Sequence, residues 1–324
     1  MKAIVRSEYG PPDVVELREI DRPSVGDGAL LVRVGASSIN QADLDYLTGR
    51  PLMTRMSTGL RKPKDRGLGL DVAGEVEAVG AHVTRFKPGD EVFGDMTEHG
   101  FGAFAEYVAA PERAFAPKPI GLTFDQAATV PQSAILALQG LRGFGRTAGQ
   151  GQRVLVNGAS GSVGPFAVQL AKARGAHVTG VCRTAKVDMV RSLGADQVID
   201  YSAQDVTRGE RYDWILDVAG NHSIRDWRRA LEPGGTYVMV GGPAGRILAG
   251  LVAGPLLSLA GSRRSGLMLW WKPFRQEDVA TLTEVLESGA VVPLIDRTFP
   301  LDDVADGLRY VQDGHARGKV VISV

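Results

Sequence analysis

Residues 153–182 read RVLVNGASGSVGPFAVQLAKARGAHVTGVC, and they decide the fold class of the chain. An apolar run leads into a glycine-rich turn, which is followed by a segment with apolar residues at helical spacing and then by a second apolar run. Strand, turn, helix and strand in direct succession form one βαβ unit. The stretch therefore predicts an α/β protein with a Rossmann-type, doubly wound parallel sheet.

The turn itself carries the pattern A-x-G-x-x-G at Ala159, Gly161 and Gly164, directly after Gly158. In dinucleotide-binding turns the first small residue permits the tight bend, the second lets the backbone approach a pyrophosphate, and the third lets the helix pack on the strand. Backbone amides at the start of the helix then point at the phosphates. The predicted cofactor-binding residues of the turn are Gly158, Ala159, Ser160, Gly161, Ser162, Val163 and Gly164. A packing turn without a cofactor is the alternative.

The end of the second strand indicates which dinucleotide binds. Sites for NAD carry Asp or Glu there, which binds the ribose 2′-hydroxyl. This strand ends instead at Cys182 and is followed by Arg183, Thr184 and Lys186. Two cations and a hydroxyl suit a 2′-phosphate. We therefore expect NADPH as the cofactor, with the solvated start of the next helix as the alternative interpretation of these side chains.

The rest of the chain shows two kinds of pattern. Residues 1–122 hold short β-prone runs separated by Gly, Pro and Asp, with one helix expected between Asn40 and Gly49. From residue 123 onward strands alternate with helices. We expect a β-rich domain at 1–122, a dinucleotide-binding domain at 123–271 and a return to the first domain at 272–324. Ile247–Ala260 is expected to be helical in pieces, and Leu267–Trp271 to form a strand.

The composition limits the classes of protein to which the chain could belong. Basic and acidic side chains number 37 each, which leaves only a local basic patch as a basis for binding nucleic acid or an anionic membrane. A single cysteine, Cys182, excludes a disulfide framework and a thiolate-rich zinc site. The first residues lack the apolar core of a secretory signal, and Ile247–Ala260 is too short and too interrupted to span a membrane. We expect a cytoplasmic protein.

Motifs for metal or serine chemistry are missing from the sequence. Zinc catalysis needs three or four ligands from Cys, His, Asp and Glu. The five histidines are scattered and form no HxxxH pair. No G-x-S-x-G nucleophile elbow is present either. We therefore expect a site without a metal.

Segments spread over nearly the whole chain carry a family resemblance. They are MKAIV at the start, INQADLDYLTG (39–49), GLDVAGEVEAVG (69–80), FKPGDEVFG (86–94), GAFAEYV (102–108), NGASGSVG (157–164), LGADQVIDY (193–201) and GHARGKVVI (314–322). Together they resemble the medium-chain dehydrogenase/reductases of the zinc-independent quinone oxidoreductase (zeta-crystallin-like) type. The resemblance implies that residues 1–122 form a GroES-like catalytic domain. Zinc-dependent relatives carry a Cys within the segment at 36–40 and a GHE triplet at 69–71, where this chain has Gly69, Leu70 and Asp71.

The resemblance also implies site residues. Asn40, Asp43 and Tyr46 would belong to the wall of a substrate cleft between the domains. Asn40 would hold the substrate carbonyl or the nicotinamide ribose, and Tyr46 would donate a proton or hydrogen bond to oxyanion charge. A helix cap for Asn40 and a packing ring for Tyr46 are the alternatives.

Further cofactor contacts follow from the same resemblance. Tyr201 and Arg317 would join the residues after the second strand at the 2′-phosphate. Two turns at the carboxyl ends of later strands, where ligands bind in such sheets, would also contact the cofactor through Ala219, Gly220, Gly241 and Gly242. A homodimer would form through the strand at Leu267–Trp271, unless that strand is simply buried within the monomer.

The leading hypothesis for function is an NADPH-dependent, metal-free reductase of quinones or related conjugated carbonyls. The same cofactor in a differently shaped cleft would instead reduce the C=C bond of enones, alkenals or enoyl thioesters. A non-catalytic, cofactor-bound role, crystallin-like or RNA-binding, is the third alternative. The neutral net charge and the lack of a basic stripe with interleaved aromatic residues argue against RNA.

Overall fold

The structure is a computed structural model that describes residues 1–259 and 261–324. Its strands are β1 (Lys2–Val5), β2 (Glu16–Glu19), β3 (Ala29–Ile39), β4 (Asp71–Val79), β5 (Glu91–Asp95), β6 (Tyr107–Pro111), β7 (Phe115–Pro117), β8 (Arg142–Gly143), β9 (Arg146–Thr147), β10 (Arg153–Asn157), β11 (His177–Cys182), β12 (Gln197–Asp200), β13 (Tyr212–Asp217), β14 (Leu231–Met239), β15 (Arg264–Leu267), β16 (Ile295–Pro300) and β17 (Lys319–Ser323).

The helices are α1 (Gln41–Thr48), α2 (Met53–Thr58), α3 (Phe124–Ala128), α4 (Pro131–Gly140), α5 (Gly164–Ala173), α6 (Val187–Ser192), α7 (Ile224–Arg229), α8 (Ala244–Leu259), α9 (Gln276–Glu287) and α10 (Val304–Gln312). Short 3₁₀ turns lie at Pro12–Val14, Glu112–Ala114, Thr184–Lys186 and Leu301–Asp303.

The described chain divides into two compact units. The first unit comprises Met1–Ser133, Pro273–Thr283 and Pro293–Val324, and the second comprises Ala134–Lys272 and Glu284–Val292.

The first unit is built on a mixed sheet in which most strands are antiparallel. Its order is β16-β17-β3-β4-β5-β7, and β6 pairs with one end of β3. The long β3 is central, because it pairs with β4, β6 and β17. One apolar core includes Val32, Val92 and Phe115, and a second includes Ile39 and Leu308. Helix α1 starts directly after β3, so the end of this strand places the candidate catalytic residues.

The second unit contains the predicted parallel sheet. Its strand order is β12-β11-β10-β13-β14-β15, and every neighbouring pair is parallel. This is the doubly wound order 3-2-1-4-5-6 of a Rossmann fold. Buried aromatic side chains, among them Tyr212, Trp227 and Tyr237, fill the core on one side. The predicted α/β fold class is therefore confirmed.

The segment after β14 differs from the expectation. The apolar stretch forms one helix, α8, that continues through Pro255, instead of helical pieces. The expected end of the stretch, Ala260, lies outside the described residues.

The prediction of a strand at Leu267–Trp271 is wrong. The strand is Arg264–Leu267, which pairs with β14 from Thr236 to Met239. Trp270, which lies within the expected strand, makes side-chain contacts instead: its indole N–H donates to Gln139 O at 3.2 Å and its ring lies 5.1 Å from that of Phe144.

Candidate functional site

The glycine-rich turn after β10 brings helix α5 directly against the strand. Gly158 has a φ of +86°, and its N–H and that of Ala159 donate to the carbonyl of Val181 in β11, at 3.2 and 3.0 Å. A Cβ at Gly164 would lie 2.3 Å from Gly158 O and 2.5 Å from the carbonyl carbon of Ala159. No side chain can approach backbone this closely. Glycine is therefore required at 164 for the helix to pack on the strand.

The same turn is open at Gly161. A Cβ there would have Gly158 O, 3.7 Å away, as its nearest neighbour, so the fold itself has room for a side chain. Within the described residues no side chain caps the start of α5. The first N–H groups of a helix need partners from outside the helix. Open backbone next to uncapped amides fits a bound pyrophosphate. Ser160 and Val163 are buried in this turn, and Ser162 is partly exposed.

Two further glycine turns meet at the same edge of the sheet. Gly220 follows β13 and Gly242 follows β14, with φ of +61° and +145°. A Cβ at Gly220 would lie 2.7 Å from Gly241 O and 2.7 Å from Gly242 Cα. The first turn adjoins them, because a Cβ at Gly158 would lie 3.4 Å from the nitrogen of Ala219. The structure thus brings together the predicted cofactor-binding residues of all three turns, at the edge where dinucleotides bind.

Asp217, which is not among the predicted site residues, holds these turns in place. This fully buried carboxylate at the end of β13 accepts hydrogen bonds from the backbone N–H of Ala219 (3.2 Å) and Gly220 (2.8 Å). It also accepts from three side chains, those of Asn157 at 2.7 Å, Trp227 at 2.8 Å and Tyr237 at 3.0 Å. The one available signal was an acidic residue that ends an apolar strand.

The residues predicted to bind the 2′-phosphate cluster after β11. The Arg183 Nε donates to the Tyr201 hydroxyl at 2.6 Å, and both side chains are exposed. Thr184 is also exposed and Lys186 is half-buried. A cavity of about 470 Å³ lies next to Tyr201 and extends to His222. Arg317 belongs to the first unit, where its backbone N–H donates to Asp296 at 3.0 Å.

A carboxylate that is not among the predicted site residues also lies in this cluster. Asp200 ends β12, which pairs in parallel with β11 so that Asp200 faces Cys182 in the register. Its side chain accepts a hydrogen bond from the Thr184 hydroxyl and another from the Ser202 N–H at 2.9 Å. Hydrogen bonds from Ser202 and Thr184 hold the pKa of Asp200 below its usual value. The carboxylate therefore fixes the Thr184 side chain.

In the first unit a buried polar network surrounds Asn40. Its Nδ2 donates to Asp71 at 2.8 Å, and its Oδ1 accepts from Lys319 Nζ at 2.6 Å and from the Ser133 hydroxyl at 3.2 Å. The Asp71 carboxylate also accepts from the Ser38 hydroxyl at 2.8 Å. The amide of Asn40 is consequently fixed in one orientation.

Lys319 and Asp71 form the charged pair of this network. Their side chains are 1% and 0% exposed, and Nζ lies 3.3 Å from Asp71 Oδ2. Lys319 Nζ also donates to the Ser133 hydroxyl oxygen at 3.2 Å, and the Gln132 N–H donates to Asp71 at 3.0 Å. Burial lowers the pKa of Lys319, and the nearby charge of Asp71 opposes that shift. No motif in the sequence indicates that these two residues meet.

Asp43 and Tyr46 lie one turn apart on α1. Asp43 is buried and accepts a hydrogen bond from the Asn40 N–H at 2.8 Å, which caps the helix. Burial raises the pKa of Asp43 to about 8, and the Asp71 charge adds to the effect. The ring of Tyr46 is half-buried and lies 4.7 Å from that of Phe101. Burial, and then the Asp43 charge, raise the pKa of Tyr46, so its hydroxyl is protonated at neutral pH.

This network does not fit a catalytic zinc ion. Leu70 occupies the position of the histidine in the GHE triplet of zinc-dependent relatives. Asp71, the one potential ligand left there, is already paired with the Lys319 ammonium. Over residues 1–259 and 261–324, no three or more His, Cys, Asp or Glu side chains come together in a group that could hold a metal ion. A zinc ion would need several ligands in this place.

Comparisons with known proteins agree with this architecture. Residues 26–120 match the family model described as alcohol dehydrogenase GroES-like domain, and residues 193–322 match the one described as zinc-binding dehydrogenase. None of the described helices is long and apolar enough to cross a membrane.

Three relatives illustrate the similarity. The mitochondrial NAD(P)H oxidoreductase RTN4IP1 of Bos taurus is 33% identical, over 100% of this chain and 89% of its own. The chloroplastic NADPH-dependent alkenal/one oxidoreductase of Arabidopsis thaliana is 32% identical, over 99% of this chain and 79% of its own. The solved structure of the quinone oxidoreductase from Coxiella burnetii superimposes with a TM-score of 0.86 at 28% identity, covering 100% of this chain and 99% of that one.

Proposed function

The chain belongs to the zinc-independent, quinone oxidoreductase type of the medium-chain dehydrogenase/reductase family, and we propose that it reduces quinones or related conjugated carbonyls with NADPH. The observation that carries the proposal is the meeting of three glycine turns at the carboxyl edge of the parallel sheet. Of the relatives named above, one is an NAD(P)H oxidoreductase, one is an NADPH-dependent alkenal/one oxidoreductase and one is a quinone oxidoreductase. Reduction of the C=C bond of an enone is therefore the second candidate.

NADPH would be held by the second unit and would supply the hydride when bound. The pyrophosphate would lie on the open backbone at Gly161 and the uncapped start of α5. The turns that Asp217 fixes would position the rest of the cofactor. Arg183, Lys186 and Tyr201 would bind the 2′-phosphate, with Arg317 as a further contact.

The first unit would orient the substrate and stabilise charge on its oxygen. Tyr46 would donate a hydrogen bond from its protonated hydroxyl to the developing oxyanion. Asn40 would offer the Nδ2 proton that is not bonded to Asp71. Asp43, whose pKa is near 8, would hold a proton close to Tyr46 at neutral pH. These steps need no metal ion.

We further propose a homodimer that works in the cytoplasm. Strand β15 is the last strand of the parallel sheet in the described part of the second unit, so one row of its backbone groups faces outward. Pairing of β15 with its copy would satisfy those groups. The residues concerned would be Arg264–Leu267, in place of the sequence-predicted Leu267–Trp271.

Cofactor selectivity tests the proposed site. Arg183→Ala should weaken NADPH binding about tenfold or more, because a guanidinium–phosphate bond is lost, and should leave NADH binding unchanged. Arg191→Ala is the matched control, since this exposed arginine pairs with Asp188 on α6. Dissociation constants from titration of cofactor fluorescence provide the measurement. An equal loss of affinity for both dinucleotides, or no loss for either, would contradict the assignment.

A further inference from the structure

The outer face of α8 is apolar, although helices on the outside of a Rossmann sheet normally expose polar residues. Leu248, Val252, Leu256 and Leu259 are 62%, 60%, 64% and 83% exposed. We call these four residues the α8 stripe. They follow one another at helical spacing, so they form one continuous band along a helix about 24 Å long.

The stripe points away from the sheet that carries α8. The opposite side of the helix is buried at Gly250, Gly254 and Ser258. A Cβ at Gly254 would lie 2.8 Å from Gly266 Cα in β15, and the Ser258 hydroxyl bonds Ser265 O at 3.0 Å. The helix is therefore seated on the sheet by its small residues. The stripe is not needed for that packing.

The charges that flank the stripe along the chain all have one sign. Residues 247–262 contain no charged side chain, and the segment is bracketed by Arg246, Arg263 and Arg264. No Asp or Glu occurs between Glu232 and Glu277. An apolar band with positive charges at both ends matches the surface of an anionic bilayer, where acyl chains lie beneath negative headgroups.

A second copy of the chain fits the stripe less well. If two stripes packed antiparallel, Arg246 would lie near Arg263 and Arg264 of the other copy. If they packed parallel, each arginine would lie near its own counterpart. Neither arrangement brings an acidic residue of the segment against these arginines, and like charges disfavour association.

We propose that the α8 stripe docks the protein on an anionic lipid bilayer, with its apolar side chains in the interface and its flanking arginines at the headgroups. The helix lies flat on the surface and does not cross it. Antiparallel pairing of two copies through β15 would place both stripes on the same face of the joined sheet, so such a dimer would dock through two helices. The stripe and its flanking charges are the evidence for docking, which does not depend on the proposed function. The benefit of docking to the enzyme rests on the proposed function, because apolar quinones, as substrates, partition into bilayers.

Flotation of the full chain with vesicles tests the docking. The vesicles contain phosphatidylcholine, either alone or with about one third phosphatidylglycerol. We expect the protein to float with the anionic vesicles and to be released by high salt. Val252→Glu combined with Leu256→Glu should lower the bound fraction about tenfold or more, since two inserted side chains become charged. Arg246→Gln should lower it about fivefold. Ile120→Glu, an exposed aliphatic residue of the first unit, is the matched control and should float like the wild type.

The outcomes separate docking from catalysis. Absence of flotation with anionic vesicles, or equal flotation of the wild type and the double variant, overturns the proposal. So does an oligomer that the double variant dissociates without any vesicle binding, because a second copy then covers the stripe. Oxidation of NADPH with a water-soluble quinone, measured without vesicles, is expected to be unchanged in the double variant. Flotation without this activity would support docking and refute the proposed function.

Discussion

Replacement of Lys319 by Met would leave the Asp71 carboxylate buried without its cation. The two side chains are almost completely inaccessible, and their charged atoms lie 3.3 Å apart. Breaking a buried pair from one side costs about 3–5 kcal/mol. Asp71 would keep the hydrogen bonds from Ser38, Asn40 and Gln132. We therefore expect Lys319→Met to lower the free energy of unfolding by about 3 kcal/mol, at the lower end of that range.

Urea unfolding followed by far-ultraviolet circular dichroism measures this loss. Combining Lys319→Met with Asp71→Asn removes both charges, so the double variant should be more stable than the sum of the two single losses predicts, by about 2 kcal/mol. Lys2→Met is the matched control, because Lys2 pairs with Asp302 at the surface, at 3.5 Å. An exposed pair contributes about 0–1 kcal/mol.

Two results would refute the reasoning. The first is a loss for Lys319→Met no larger than that for Lys2→Met, since burial would then not strengthen the pair. The second is strict additivity of Lys319→Met and Asp71→Asn, which would show that the two charges do not interact.

Three further predictions concern single residues. Gly161→Ala should keep the stability of the protein and reduce NADPH affinity about tenfold or more, whereas Gly164→Ala should reduce both stability and affinity, because only the Cβ at position 164 would clash with protein backbone. Thermal unfolding and cofactor titration distinguish the two variants. A Gly164→Ala variant that is stable and binds NADPH tightly would contradict the geometry. Burial raises the pKa of Asp43 in the folded state to about 8. The folded state therefore binds more protons than the unfolded state, and the free energy of unfolding falls as the pH rises from about 4 to about 8. Asp43→Asn should make urea midpoints less dependent on pH, and an unchanged dependence would be inconsistent with the raised pKa. Tyr46→Phe should lower kcat for quinone reduction by about 10²-fold at unchanged NADPH affinity, and steady-state rates equal to those of the wild type would remove Tyr46 from the mechanism.

The parallel sheet could be predicted closely from the sequence. The two apolar runs within residues 153–182 form strands β10 and β11, at Arg153–Asn157 and His177–Cys182. Parallel strands are covered on both faces, so the inner ones read as short apolar runs between turns. In these segments the local pattern and the tertiary environment favour the same structure.

Edge and surface elements were harder to predict. Strand β15 begins with Arg264 and Ser265, and its pairing with β14 overrides a polar sequence. In α8 the glycines and Pro255 suggested breaks. The structure uses Gly254 instead to bring the helix close to β15, where a larger residue would not fit.

The polar network of the first unit could be predicted only in part. Asn40 and Asp43 were candidates because of the resemblance, and the structure shows that they also cap α1. Asp71 and Lys319 are 248 positions apart, and their pairing depends on β17 and β4 lying on opposite sides of β3. Asp200 meets Thr184 for a similar reason, because parallel strands end at the same edge. Contacts of this kind arise from topology, which a single sequence specifies weakly.

The most direct test of the proposed function is the initial rate of NADPH oxidation by the EDTA-treated protein with a naphthoquinone, with NADH measured in parallel. We expect rapid turnover that prefers NADPH, because the hydride comes from the cofactor, the 2′-phosphate has a cationic site at Arg183, and no step requires a metal ion. Absence of turnover with both cofactors, or activity that EDTA abolishes and zinc restores, would contradict a metal-free quinone reductase.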